Sequence, residues 1–317
     1  MFDMISKMLG DQPIYKKVLM FIGLVWIIRF AIKLIRGLNY FFVKSGVNLA
    51  QRYGVGSWVV ITGSTDGLGK EFARQFAKLR FNIVLISRTQ TKLDAVADEI
   101  SKEFGVKTKT IACDFSTCHQ PGFFNKVTDI TKDLDISVLV NNVGIDSIER
   151  FDELSADYIE KTIVVNCWAM TFMMKALVKQ MATRKRSSII NLSSMIGLYP
   201  AHHYNIYSAS KAFVDMLTRC MSREYNNVDF LSVCPSEVST PMTMNKPTDI
   251  WTIKTNQCVD WVFNDLGKGY IRTEGHWKHK GQSLLTGAMP PLFHYLWENF
   301  ILNDMRKERN LPDARIY

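Results

Sequence analysis

Six short apolar runs, at residues 57–62, 82–87, 107–112, 136–141, 187–193 and 228–234, punctuate the middle of this chain. Between them lie longer stretches of helical periodicity, at about 67–79, 91–104, 120–133, 155–184 and 205–225. Such alternation predicts an α/β fold, a doubly wound parallel sheet covered by helices on both faces, with ligands received at the carboxyl ends of the strands. Gly63, Arg88, Asp114, Asn142, Ser194 and Pro235 each follow one of these strands, so a single crevice could collect them.

The two ends of the chain break this rhythm. Residues 18–28 are uninterruptedly apolar, and Arg29, Lys33 and Arg36 follow at helical spacing. A strictly apolar stretch of that length is too short for about 30 Å of hydrocarbon, which takes about 20 residues unless the later cations snorkel to the interface. An N-terminal membrane-associated helix is expected, with spanning and lying on the bilayer both open. No small-residue cleavage site marks a signal peptide, and the basic, acid-poor character also suits a mitochondrial targeting segment. Past residue 246, positions 251–263 read as an amphipathic helix and 289–297 as an aromatic-rich segment before a basic tail. The expected organisation is therefore a membrane-associated segment at 1–54, a domain at 55–245, and a helical extension at 246–317.

Composition narrows the class. With 317 residues, 47% hydrophobic and 22% charged, the chain can bury a substantial core. The formal net charge of +9 suits an anionic membrane surface, and no recognition motif accompanies it to suggest nucleic acid. The six cysteines lack paired spacing and read as small buried hydrophobes in a reducing compartment. His276 and His279 have no further clustered ligands, so no metal site is expected. The sequon at Asn191 ends a core strand, which argues against glycosylation.

Candidate chemistry falls at two places. Directly after the first strand stands Gly63-Ser64-Thr65-Asp66-Gly67-Leu68-Gly69, followed by a helix. In that context glycines let the backbone approach a pyrophosphate and the helix N-terminus favours its charge. The second strand ends at Arg88 with no acid to bond a ribose 2′-hydroxyl, so the residues favour NADPH over NADH. Farther on, Tyr207 and Lys211 are spaced to share a helix face, with Ser194 upstream. A cation about 4 Å from the phenol is worth roughly 4 kcal/mol at an effective dielectric near 20, enough to bring a tyrosine towards neutrality as a general acid. Asn166 sits mid-helix in an apolar run, where an asparagine needs a reason: a kinked helix, or a water site that links Lys211 to solvent.

From these motifs the chain resembles the short-chain dehydrogenase/reductase family over roughly residues 55–245. More narrowly it resembles the branch of 17-beta-hydroxysteroid dehydrogenases and very-long-chain 3-oxoacyl-CoA reductases. The resemblance implies a Rossmann-type, NADP-binding domain and a catalytic set of Asn166, Ser194, Tyr207 and Lys211. It implies cofactor contacts at Gly63, Ser64, Thr65, Asp66, Gly67, Leu68, Gly69, Arg88, Asp114, Asn142, Gly144, Tyr207, Lys211, Val238 and Thr240. Asn142 and Gly144 belong to the Asn-Asn-Val-Gly element beside the cofactor. After the sixth strand, where many members have Pro-Gly, this chain has Pro235-Ser236-Glu237-Val238-Ser239-Thr240, so Val238 and Thr240 match less closely as carboxamide contacts.

The expected activity is NADPH-dependent reduction of a ketone on a lipophilic substrate, either a very-long-chain 3-oxoacyl-CoA or a ketosteroid. The branch is membrane-associated, which points to the endoplasmic reticulum with the mitochondrial membrane as alternative, although no retrieval signal closes the chain. Members commonly pair through the helices holding Asn166 and Tyr207, which implies a homodimer. The second function class is a non-catalytic subunit of a membrane complex that keeps the fold, because folds host unrelated functions.

Overall fold

The computed structural model describes residues 13–42, 47–146, 148–199, 201 and 203–289. It divides into two compact units, residues 1–46 and 47–317. The first contains a single described helix, α1 (Ile14–Phe42), whose 29 residues include the whole apolar run. At about 1.5 Å per residue the helix is about 43 Å long, more than the thickness of about 30 Å of hydrocarbon. Leu19, Phe21, Trp26 and Ile27 on this helix are exposed.

The second unit begins with a short helix, α2 (Leu49–Tyr53), and then winds strands and helices alternately. The strands are β1 (Trp58–Thr62), β2 (Asn82–Ser87), β3 (Thr108–Ala112), β4 (Ile136–Asn141), β5 (Ser187–Leu192), β6 (Val228–Val233) and β7 (Arg272–Thr273). The helices are α3 (Gly67–Lys78), α4 (Gln90–Phe104), α5 (Asn125–Thr131), α6 (Ala156–Met181), α7 (Asn205–Met221), α8 (Thr255–Asp265) and α9 (Trp277–Ala288). All sheet pairings are parallel, in the order β3-β2-β1-β4-β5-β6-β7. The winding direction reverses between β1 and β4, so the loops after these two strands part and open a crevice at their carboxyl ends.

The strands are buried on both faces because helices cover both. On one face Phe72, Phe76 and Phe81 pack with Ile61, Leu85 and Val259. On the other Met170, Met173 and Leu177 of α6 pack with Val60, Leu139 and Ile189. Among the described residues, α6 is the one helix long and apolar enough to cross a membrane by composition, yet more than half of it is buried. It is a core helix.

Several expected boundaries shift. The stretch 120–133 is helical only over Asn125–Thr131, because Pro121 and Gly122 hold its start in a turn. The helix expected at 251–263 begins at Thr255, since Trp251 and Thr252 donate their backbone N–H groups to the Asp249 carboxylate in a tight turn. The stretch 155–184 is helical over Ala156–Met181 but contains a π-helical turn at Val164–Trp168. β7 and α9 were not evident from the periodicity. The aromatic-rich segment and basic tail lie, beyond Met289, outside the described residues.

Of the six free cysteines, Cys118, Cys234 and Cys258 are buried, Cys113 and Cys167 partly so, and Cys220 is exposed. Asn191 is fully buried and donates its amide to Thr218 Oγ1 at 2.9 Å, which closes the sequon.

Candidate active site

The turn after β1 sets the floor of the crevice. Gly63 and Gly67 have φ of 63° and 51°, left-handed values that favour glycine. A Cβ on Gly69 would lie 2.2 Å from the Gly63 carbonyl oxygen, so only glycine lets the start of α3 fold back onto the turn. Asn142, at the end of β4, donates its amide to the carbonyls of Thr62 and Gly63 and pins the turn to the neighbouring strand. Asp66 caps α3 by accepting from the Gly67 N–H at 2.8 Å. Ser64 is fully buried and Thr65 Oγ1 lies 3.0 Å from Ser87 Oγ, so both brace the turn against β2.

Tyr207 and Lys211 lie in the first and second turns of α7 and share its inner face. The Lys211 ammonium is 5.6 Å from the Tyr207 ring centroid, and it donates to the Leu192 carbonyl at 2.8 Å. Burial lowers the Lys211 pKa to about 8, with Cys167, Cys234 and Asp146 opposing that fall. Ser194 begins the turn after β5, with its Oγ accepting weakly from the Ile196 N–H at 3.4 Å. Two residues that the sequence reading missed dock this turn on α7. Ser193 Oγ donates to the Lys211 carbonyl at 2.7 Å, and Gly197 packs directly on the Lys211 backbone.

Asn166 lies within the π turn, a feature that re-aims side chains and is frequent at functional sites. Its Oδ1 accepts from the Ile145 N–H, and its Nδ2 donates to the Ile145 carbonyl and to Ser210 Oγ. It thus clamps the loop after β4 to α7. Gly144 fills the remaining gap: a Cβ there would stand 3.3 Å from both Asn166 Oδ1 and Lys211 Nζ.

One cavity of about 690 Å³ gathers these elements. Gly63, Asp66, Gly67, Leu68, Arg88, Asp114, Asn142, Gly144, Ser194, Tyr207, Lys211, Val238 and Thr240 line it. Ser64, Thr65, Gly69 and Asn166 are not among the residues that line it. Tyr199, Tyr204, Glu237, Lys246, Trp251, Gln282, Leu285 and Thr286 also line it, and none of these was selected from sequence. Their spacing carries no signal, since loops and the distant α9 bring them in.

The cavity suits a dinucleotide. Its glycine floor is backbone that a Cβ would fill, a helix N-terminus faces it, and Arg88 lines its edge at the end of β2. A profile of the short chain dehydrogenase family matches residues 57–251. This chain belongs to that family. As a short-chain dehydrogenase it is an oxidoreductase that uses a nicotinamide dinucleotide.

The short-chain dehydrogenase relatives include the very-long-chain 3-oxoacyl-CoA reductase of Bos taurus, 40% identical over 266 residues, covering 80% of this chain and 81% of its own length. The very-long-chain 3-oxoacyl-CoA reductase of Neurospora crassa is 36% identical over 231 residues, covering 71% and 69%. A solved 7beta-hydroxysteroid dehydrogenase structure is 28% identical, with a TM-score of 0.68 over 76% of this chain and 95% of its own.

Proposed function

We propose that this chain reduces the ketone of a very-long-chain 3-oxoacyl-CoA, with NADPH as reductant. The carrying observation is that Ser194, Tyr207 and Lys211 open into one cavity with the glycine turn and Arg88. Curated relatives named for the acyl reaction favour an acyl substrate over a ketosteroid. A site of this size accommodates a ligand far larger than a simple ketone.

Gly63, Asp66, Gly67 and Leu68 would hold the pyrophosphate, with Ser64, Thr65 and Gly69 shaping the turn behind them, Arg88 the 2′-phosphate, and Asp114 the adenine. Asn142, Gly144, Val238 and Thr240 would hold the nicotinamide end. When bound, the dinucleotide supplies a hydride to the carbonyl carbon. Tyr207 gives its phenolic proton to the carbonyl oxygen, and the Ser194 hydroxyl donates a hydrogen bond to the same oxygen as it gains charge. The Lys211 cation favours the phenolate that remains and would bond the nicotinamide ribose. Asn166 keeps Ile145 and Ser210 fixed around that lysine.

The exposed apolar surface of α1 supports membrane attachment, and a membrane of the endoplasmic reticulum would give access to long acyl chains. Residues of α9 and Trp251 would close the acyl end of the cavity. A homodimer through α6 and α7 is compatible with exposed Trp168, Phe213 and Met216.

The test is NADPH oxidation by detergent-solubilised chain offered a long-chain 3-oxoacyl-CoA and, separately, a 17-ketosteroid, with Tyr207→Phe as control. Tyrosine-dependent oxidation with the acyl-CoA is expected. NADPH binding without turnover of either substrate would overturn the proposal in favour of a non-catalytic role.

A further inference from the structure

The geometry points to His279 as a positioning residue: its imidazole, supplied by α9 outside the family-matched span, holds the loop after β6 in the conformation that receives the dinucleotide. This inference rests on the reading of Val238 and Thr240 as nicotinamide contacts.

The loop is tied on one side by a parallel bridge between Val238 and Ile253. Ser239 N–H donates to the Ile253 carbonyl at 2.9 Å, and Ile253 N–H donates to the Glu237 carbonyl at 3.2 Å. Two residues before each bridge partner, at Ser236 and Trp251, the two segments are joined through the His279 ring instead. The Ser236 N–H donates to His279 Nδ1 at 3.3 Å, and His279 Nε2 lies 3.2 Å from the Trp251 carbonyl oxygen. The ring substitutes for a direct main-chain rung.

These partners fix the proton. A backbone N–H can only donate and a carbonyl can only accept, so the ring is neutral with its proton on Nε2. His279 is fully buried, and burial holds its pKa down at about 4, consistent with a neutral ring throughout the physiological range. The ring is fixed within the fold, not poised to titrate.

The two bonds differ in what backs them up. Gln282 Nε2 also donates to the Trp251 carbonyl, at 3.3 Å, so that oxygen keeps a partner without the histidine. The Ser236 N–H has no second acceptor among the described residues. Removing the ring therefore strands one donor, and that donor belongs to the loop carrying Val238 and Thr240. The Ser236 N–H is partly buried at the cavity wall, so losing its acceptor is costly, and the loop relieves the loss by moving.

The asymmetry gives a discriminating experiment. Asparagine places its amide at the δ position of the lost ring and can still accept from Ser236. Glutamine places it at the ε position, where it can serve only Trp251. NADPH affinity is measured by calorimetric titration of the full-length, detergent-solubilised chain as wild type, His279→Asn, His279→Gln and His279→Phe. Binding should stay within about twofold of wild type for His279→Asn and weaken roughly tenfold or more for His279→Gln. His279→Phe is expected to match or exceed the glutamine loss, but the Asn and Gln pair decides the question if it fails to fold. Equal affinity in the Asn and Gln variants would overturn the inference, because a merely structural role does not distinguish the two ring positions. Unchanged NADPH affinity in both Thr240→Val and Val238→Ala would instead overturn the parent reading of that loop.

Discussion

A Cβ on Gly197 would stand 2.7 Å from the carbonyl carbon of Lys211. The turn that presents Ser194 thus rests on the backbone of the helix that presents Tyr207, and no side chain fits between them. This contact, with the Ser193 hydroxyl on the Lys211 carbonyl, sets the spacing between the serine and the tyrosine. Gly197→Ala should therefore lower kcat at least about tenfold while NADPH affinity changes little, with about 1–3 kcal/mol of stability lost to overpacking. Single-turnover kinetics beside a binding titration checks it; an unchanged kcat would mean that the turn accommodates the methyl.

Tyr207→Phe removes the phenolic proton and leaves the ring. Turnover should drop roughly 10²–10⁴-fold, the usual worth of a positioned general acid. NADPH affinity should stay near wild type, since the glycine turn and Arg88 are untouched. A variant that turns over normally would remove Tyr207 from the mechanism.

Arg88 lines the cavity at the end of β2 and makes no hydrogen bond or ion pair to any of the described residues. A guanidinium in that position is available for a phosphate. Arg88→Asp should shift the ratio of kcat/KM for NADPH over NADH towards NADH by about 10–100-fold, as expected for loss of a charged hydrogen bond. An unaltered ratio would place the 2′-phosphate elsewhere.

Lys211 gives a pH signature. Its pKa falls from 10.5 to about 8 in the folded chain through burial, so the fold disfavours the charged form. Below pH of about 8 both folded and unfolded chains carry the proton, and the fold bears the whole desolvation penalty. Between there and 10.5 the folded chain has released it while the unfolded chain retains it, so stability rises with pH in that window. Urea denaturation of the dinucleotide-free chain at pH 7.5, 9 and 10 should show this rise relative to Lys211→Met. Parallel pH dependences would contradict it.

Away from the cavity, Asp229 accepts from Arg52 Nε at 2.7 Å, Arg52 Nη2 at 3.0 Å and the Tyr53 hydroxyl at 2.7 Å. This cluster ties α2 to the start of β6. Asp229→Ala should cost about 1–3 kcal/mol, because it leaves the Tyr53 hydroxyl and a partly buried guanidinium without their acceptor. Catalytic constants should be unaffected. A denaturation midpoint equal to that of wild type would show that the cluster contributes nothing to stability.

The strands and the glycine turn were legible in the sequence because their causes are local. Short apolar runs bounded by turn residues, such as Trp58-Val59-Val60-Ile61, read as buried strands, and the glycines that follow specify a turn through their own backbone freedom. Tyr207 and Lys211 were legible for the same reason, since helical spacing alone puts them on one face. The π turn around Asn166 and the short β7 were not, because each depends on what the segment packs against. Asn166 illustrates the difference: its type flagged it, but Ile145 and Ser210, which give it partners, come from a loop and a different helix.

What the sequence determined by itself was the layering of the fold, the glycine turn and the placing of Ser194, Tyr207 and Lys211 beside one crevice, all consequences of short-range periodicity and residue chemistry. What only the tertiary structure decided was how those side chains are held and what walls the cavity. Gly197 against Lys211, His279 between Ser236 and Trp251, and the α9 residues along the cavity are contacts between segments far apart in the chain. Such contacts leave no periodic trace, because they arise from which surfaces of the finished elements meet, and that is settled only when the core closes.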